Sequence, residues 1–247
     1  MIQAMSLKNG YISTMRGFDA LSRGTGLTRF LDARRDRSRL AHWLRSLGAI
    51  HDLEGLVALD VPWWTYRAID AVSDFLETRP DARVFEYGSG ASTIWLARRA
   101  GHVTSVEHHA GWHGRMTAEL AARSDLCPVE LNFIAPDTAK ATDALYISEK
   151  AGEKGQSFAA YARAIEDRPE TLYDLIVIDG RARNACLAHA MRHLAPGGML
   201  VYDNSTRNRY ARAIRKSGLK AQHLRGLTPA LPYPDQTTLL RRAEDAA

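Results

Sequence analysis

The run from Val84 to Ala97, VFEYGSGASTIWLA, constrains what this chain can fold into more than any other stretch. Val84, Phe85, Glu86 and Tyr87 have strand character and lead into Gly88-Ser89-Gly90; Ile94, Trp95 and Ala97 then follow at helical spacing. The order is strand, glycine turn, helix. Two glycines at a chain reversal let the backbone approach a ligand closely, and the unpaired N–H groups of a helix start face the same place. A nucleotide-like cofactor fits such a turn.

Two residues narrow the choice. Glu86 stands two positions before the first glycine, where an acid suits a cofactor with a cationic amino-acid tail. In the dinucleotide fingerprint G-x-G-x-x-G the third glycine lets helix and strand pack closely, whereas here that position is Thr93. With Glu86, Gly88, Ser89 and Gly90, the stretch resembles motif I of the class I S-adenosylmethionine-dependent methyltransferases. The resemblance implies an α/β fold: a Rossmann-like doubly wound sheet, mostly parallel with an antiparallel C-terminal edge strand, plus N-terminal helices.

The totals agree with an ordinary globular protein. At 247 residues, 45% hydrophobic and 25% charged, the chain can bury the core of such a sheet and has no overall disorder signature. No apolar run approaches the length of a membrane span, and the N-terminus lacks a secretory pattern, so a cytoplasmic protein with no membrane partner is expected. Cys127 and Cys186 belong to no C-x-x-C pair and read as free thiols. The net charge is +5, with basic residues clustered at Arg34, Arg35, Arg37 and Arg39. Without interleaved aromatics they read as a solvated helix face, and no nucleic-acid partner is expected.

Residues 1 to about 25, with Gly10, Gly17 and Gly24, read as a loose lead-in, and apolar spacing predicts a helix from Leu27 to Leu47. A helical extension over 1–60 and a methyltransferase domain over 61–247 follow. Val61-Pro62-Trp63-Trp64-Thr65-Tyr66 opens a helix running to Pro80, whose aromatics either wall a site or pack on the sheet. Val103 to Glu107 is a second strand, ending in an acid nineteen residues after Gly88. An acid there accepts hydrogen bonds from ribose hydroxyls, with His108 and Trp112 as neighbours of the adenosine. His109 and His113 have metal-ligand spacing but no third ligand nearby. Val129 to Ile134 is a third strand, and the resemblance implies that Asp137 beyond it lies near the adenine. The polar segment Thr138 to Gln156 reads as a lid or substrate loop before a helix through Phe158 and Ile165.

Tyr173 to Ile178 is an apolar run suited to a strand buried on both faces, with Asp179 at its carboxyl end, where open α/β sheets bind ligands. The helix after it carries His189 and His193, read as surface or packing residues. Leu194-Ala195-Pro196-Gly197-Gly198-Met199-Leu200-Val201-Tyr202-Asp203 is the second specific match to the family; the turn stops a helix and Met199 to Tyr202 form a strand. Two further strands near Ala221–Leu224 and Thr237–Arg241 would make the antiparallel edge, joined by a loop, Gly226 to Gln236, expected beside the substrate.

The resemblance covers roughly residues 60 to 242. It implies S-adenosyl-L-methionine as cofactor, bound by Glu86, Gly88, Ser89, Gly90, Glu107, His108, Asp137 and Asp179. The N/D-P-P-Y/F motif of enzymes that methylate amino groups of nucleobases or glutamine is replaced by Ile178-Asp179-Gly180-Arg181, which favours a small-molecule hydroxyl as acceptor. Asp179, Asp203 and Asn204 resemble the Mg²⁺-binding set of the catechol O-methyltransferase-like enzymes, with Asp179 also the catalytic candidate. Those enzymes carry a lysine three residues after the first aspartate, where this chain has Ala182, so metal dependence and the general base stay open. A cofactor-binding module without turnover and an NAD-linked oxidoreductase are the alternatives. The oligomeric state is not readable.

Overall fold

The computed structural model describes residues 26–50, 52–139, 143–150 and 152–243. The expected lead-in over 1–25 lies outside them. Seven strands, β1 (Arg83–Tyr87), β2 (His102–Glu107), β3 (Val129–Phe133), β4 (Tyr173–Ile178), β5 (Leu194–Tyr202), β6 (Lys220–Gly226) and β7 (Asp235–Arg241), form one sheet in the order β3-β2-β1-β4-β5-β7-β6. The first five run parallel, and β7 lies antiparallel between β5 and β6. Among the described residues the helices are α1 (Leu27–Asp32), α2 (Arg39–Ser46), α3 (Leu53–Ala58), α4 (Tyr66–Glu77), α5 (Ala91–Ala97), α6 (Ala110–Ala121), α7 (Ala159–Arg163), α8 (Arg183–Ala190) and α9 (Asn208–Lys216). None is long and apolar enough to cross a membrane.

The central strands β1, β4 and β5 are buried on both faces over most of their length, so they are largely apolar and their side chains alternate between two cores, whereas the edge strands β3 and β6 are partly exposed and more polar. Val84, Val103, Leu175, Val177, Met199 and Val201 face one side, where α3, α4 and α5 pack with Leu53, Leu56, Ile69, Val72 and Ile94. Phe85, Tyr87, Val106, Ile176, Ile178, Leu200 and Tyr202 face the other, against Tyr161 of α7 and Ala185, Cys186 and Leu187 of α8. The first of these cores runs without interruption across residue 60, from Ala49 and Leu59 to Trp64.

Chain order reverses between β1 and β4: β1 leads outward to β2 and β3, and the chain then returns to the other side of β1. The crevice at the carboxyl ends of these two strands is where ligands bind in such sheets. Gly88 follows β1, and Asp179 and Gly180 follow β4.

Three boundaries differ from expectation. The helix over Leu27–Leu47 is broken into α1 and α2, because the Ser38 hydroxyl accepts from the Ala41 N–H (3.3 Å) and caps a new start. The helix expected from Pro62 begins at Tyr66, because Thr65 is held to the sheet: its N–H donates to Thr237 Oγ1 (3.1 Å) and its hydroxyl to the Leu224 carbonyl (3.1 Å). Pro196-Gly197-Gly198 does not precede β5 but lies within it. The strand starts at Leu194 and absorbs the turn as a register shift opposite Tyr173 and Leu175.

Candidate active site

The glycine turn after β1 is held from beneath by hydroxyls. Glu86 is fully buried and accepts from Ser92 Oγ (2.5 Å), Thr93 Oγ1 (2.6 Å) and Ser105 Oγ (2.8 Å), while Thr93 Oγ1 accepts from the Gly90 N–H (2.9 Å). Thr93, where the dinucleotide fingerprint has glycine, thereby ties turn to strand. Burial pushes the Glu86 carboxyl up to about 7 against these three hydrogen bonds. Gly88 has φ +99°, and a Cβ there would meet Gly180 at 3.0 Å. The β1 and β4 loops can pass this closely only because both residues are glycine. A Cβ on Gly180 would in turn strike the Tyr161 hydroxyl at 1.9 Å.

A cavity of about 710 Å³ opens over this turn. Gly88, Ser89, Gly90 and Ser92 form its floor, Glu107 and His108 one side, Asp179, Gly180 and Arg181 the other. Trp63, Trp112, Leu53 and Leu56 supply an apolar wall, and Lys150 and Glu153 reach in from the 143–158 segment. Glu107, 3% exposed, accepts on Oε1 from the His108 and His109 N–H groups (2.7 and 2.8 Å) and on Oε2 from the Ser89 hydroxyl (3.0 Å). Burial would raise this carboxyl, but the bonds from His108 and His109 outweigh it and hold it below the usual range. The Trp112 indole N–H donates to the Ser89 carbonyl (2.9 Å), fixing the ring beside the turn. His108 bridges Glu107 (2.9 Å) and Glu153 (3.1 Å), and Glu153 pairs with Arg181. This run of polar contacts ties Glu153 across the cavity to Glu107.

The expected site residues divide into groups. Gly88, Ser89, Gly90, Glu107, His108 and Asp179 meet at the cavity wall. Glu86 lies beneath it and reaches it only through Ser92. Asp137 does not reach it: its carboxylate accepts from Ser157 Oγ (2.5 Å) and the Ala159 and Ala160 N–H groups (2.7 and 3.2 Å), so it caps α7. Of the aromatic run, Trp63 walls the cavity, whereas Trp64 is buried edge-on against Trp95 (5.9 Å) and Tyr66 bonds His42 Nδ1 (2.7 Å). The Gly226–Gln236 loop lines neither this cavity nor its neighbour; it packs on α2, where Trp43 donates to the Leu231 carbonyl (2.9 Å) and Ser46 accepts from the Ala230 N–H (2.9 Å). Leu53, Leu56, Lys150 and Glu153 are not among the expected site residues, although Lys150 and Glu153 fall within the Thr138–Gln156 segment read as a lid or substrate loop.

The expected Mg²⁺ set does not fit a metal. Arg183, 8% exposed, donates to the Asp179 carboxylate (2.6 Å) and to the carbonyls of Asp179 (2.7 Å), Gly180 (3.2 Å) and Asp203 (2.5 Å). Asp203 turns its carboxylate to the Thr237 hydroxyl (2.7 Å), and Asn204 donates its amide to Asp235 (2.8 Å). Each donor already has a protein partner, and a permanent cation sits among the strand ends where Mg²⁺ would have to sit. Burial and the Asp179 charge push the Asp203 carboxyl well up. Among the described residues no group of three His, Cys, Asp or Glu side chains could hold a metal.

Residues 85–205 match the model of the methyltransferase domain family. Residues 85–205 therefore carry a methyltransferase domain. Its fold is similar to a methyltransferase-like protein from Silicibacter pomeroyi (TM-score 0.51, 23% identity, 72% of this chain and 86% of that one). It is also similar to an O-methyltransferase from Bacillus cereus in complex with S-adenosylhomocysteine (0.51, 19%, 80% and 90%) and an rRNA methylase from Streptococcus thermophilus (0.50, 14%, 70% and 95%). A comparison with curated proteins gave no match.

The methyltransferase cavity passes a test of fit for its cofactor. A carboxylate offers about four acceptor positions. On Glu107, Oε1 accepts from the His108 and His109 N–H groups and Oε2 from the Ser89 hydroxyl, while the fourth position holds only a long bond from the Ser89 N–H (3.4 Å), which a ligand hydroxyl at Oε2 can displace. The volume lies within the usual range for small-molecule sites, roughly 300–1,000 Å³, with an apolar wall facing a polar floor.

Proposed function

We propose that the protein transfers a methyl group from S-adenosylmethionine to a hydroxyl of a small molecule. The observation that carries this reading is a second cavity, about 510 Å³, that shares Lys150, Gly180 and Arg181 with the cofactor cavity. Cofactor and acceptor therefore have adjoining rooms with one common wall. The cofactor supplies an activated methyl on a sulfonium. Glu107 accepts the ribose hydroxyls, Trp63 and Trp112 flank the adenosine, and the turn at Gly88 lets the backbone come close.

Asp179 lines the cofactor cavity, immediately before the shared Gly180 and Arg181. Arg183 engages its Oδ1, which orients the carboxylate, and burial raises its pKa, so that it takes up the acceptor's proton as the oxygen–methyl bond forms. Alignment and exclusion of water do the rest. The oxygen acceptor is supported by Asp179-Gly180-Arg181 standing in place of the amino-methylating motif, and by likeness of fold to the Bacillus cereus O-methyltransferase.

The test is transfer of labelled methyl from S-adenosylmethionine into a panel of small hydroxyl compounds, with products read for methyl ethers. Asp179→Asn should lower kcat by about 10²-fold or more while S-adenosylhomocysteine binds as before, the usual scale for loss of a general base. Label found only on nitrogen or in RNA would overturn the hydroxyl reading.

A further inference from the structure

The second cavity carries more than room for an acceptor. Its wall holds five cations, Lys150, Arg181, Arg183, Arg207 and Arg209, and one acid, Glu149. Three of the guanidiniums surround a single ring: Arg209, Arg207 and Arg183 lie 4.7, 5.7 and 5.9 Å from the centre of Tyr210. Tyr210 is itself buried, packed edge-on against Tyr202 (5.4 Å), and its hydroxyl accepts from Arg209 Nη2 (3.1 Å). The ring is a fixed platform that holds the arginine forks in place. Burial would raise the Tyr210 phenol, yet the arginines overcome it and lower its pKa.

The charge is only partly answered from within. Arg183 is spent on Asp179 and Arg181 on Glu153, both on the cofactor side. Arg209 pairs with Glu149, but both side chains are well exposed, and such a pair is weak and readily exchanged for a better partner. Among the described residues no carboxylate pairs with Arg207. Like charges gathered in a concave site repel one another unless a guest of opposite sign joins them, and guanidinium forks match phosphate oxygens two at a time.

We propose that this cavity binds a phosphate group of the methyl acceptor, so that the substrate is a small phosphorylated hydroxyl compound whose anionic end docks at Arg207 and Arg209 and whose hydroxyl points past Arg181 to the cofactor. This rests on the methyltransferase reading of the neighbouring cavity. A cavity of about 510 Å³ is of the size that takes a small molecule.

The experiment is calorimetric titration of inorganic phosphate and pyrophosphate into the full chain, with and without saturating S-adenosylhomocysteine, at constant ionic strength in chloride. It is repeated with Arg207→Gln/Arg209→Gln and with a charge-matched control, Arg215→Gln/Arg225→Gln, at exposed positions away from the cavity. The expected result is anion binding that weakens about tenfold or more in the first variant, as charge-assisted bonds are lost, and stays within about twofold in the control. Affinity for S-adenosylhomocysteine is unchanged in both. No binding above chloride, equal weakening in the two variants, or tight binding of poly(U) RNA in place of pyrophosphate would overturn the proposal. Failure of S-adenosylhomocysteine alone to bind, with arginine-dependent phosphate binding intact, would sink the cofactor reading and leave the anion site standing.

Discussion

Glu86 and Glu107 lie at the carboxyl ends of neighbouring strands, the former one residue before the end of β1, and are shifted in opposite directions, although both are buried. Glu107 receives three backbone N–H groups, from Ser89, His108 and His109, and a hydroxyl, and is held low; Glu86 has hydroxyls only, and burial lifts it to about 7. An unfolded carboxyl titrates near 4.5. The neutral Glu86 therefore contributes stability that is complete below that value and is lost as pH rises to about 7, which amounts to about 3 kcal/mol. Glu86→Gln should remove this loss. Denaturant unfolding at pH 5 and pH 8 should show the variant gaining up to about 3 kcal/mol on wild type between the two; a pH-independent difference would show that the carboxyl is ionised throughout. Glu107 was legible as a ligand because its place at a strand end says what faces it. The role of Glu86 was not, because the hydroxyls that claim it come from α5 and β2 and meet only after folding.

At the scale of elements, strands were easier to read than helix starts. A strand buried on both faces writes itself as a run such as Leu175 to Ile178, whereas the starts of α2 and α4 are set by Ser38 capping and by Thr65 bonding across to β6 and β7. Asp137 shows the same limit. Its sequence position suits an adenine contact, but its carboxylate caps α7, and desolvation is outweighed by bonds from Ser157, Ala159 and Ala160 that lower its pKa. As a cap, its loss should cost about 1 kcal/mol, within roughly 0.5–2. Asp137→Ala should thus lower the denaturation midpoint and leave the dissociation constant of S-adenosylhomocysteine unchanged within about twofold. A large loss of affinity with unchanged stability would return Asp137 to the cofactor.

At the scale of the whole molecule, the reversal between β1 and β4 puts the carboxyl ends of four strands around one crevice, and motif order alone made that arrangement legible. What occupies the far side of the crevice was not. Asp179, Asp203 and Asn204 are the right residue types for Mg²⁺, but Arg183 joins the strand ends in its place, and only the folded loops reveal that the donors are taken. Methyl transfer should accordingly keep its rate, within about twofold, in millimolar EDTA or Mg²⁺, since no cation remains to be added among these groups. A strict Mg²⁺ requirement would mean that Arg183 leaves the site on substrate binding.

The most direct test of the account is calorimetric titration of S-adenosylhomocysteine into the intact chain and into Glu107→Gln, which keeps the shape of the side chain but turns an acceptor oxygen into a donor. One site per chain is expected, weakened about tenfold or more in the variant because a charge-assisted bond to the ribose is lost. Equal affinity in both, or no binding to either, would contradict the placement of the cofactor over the Gly88 turn.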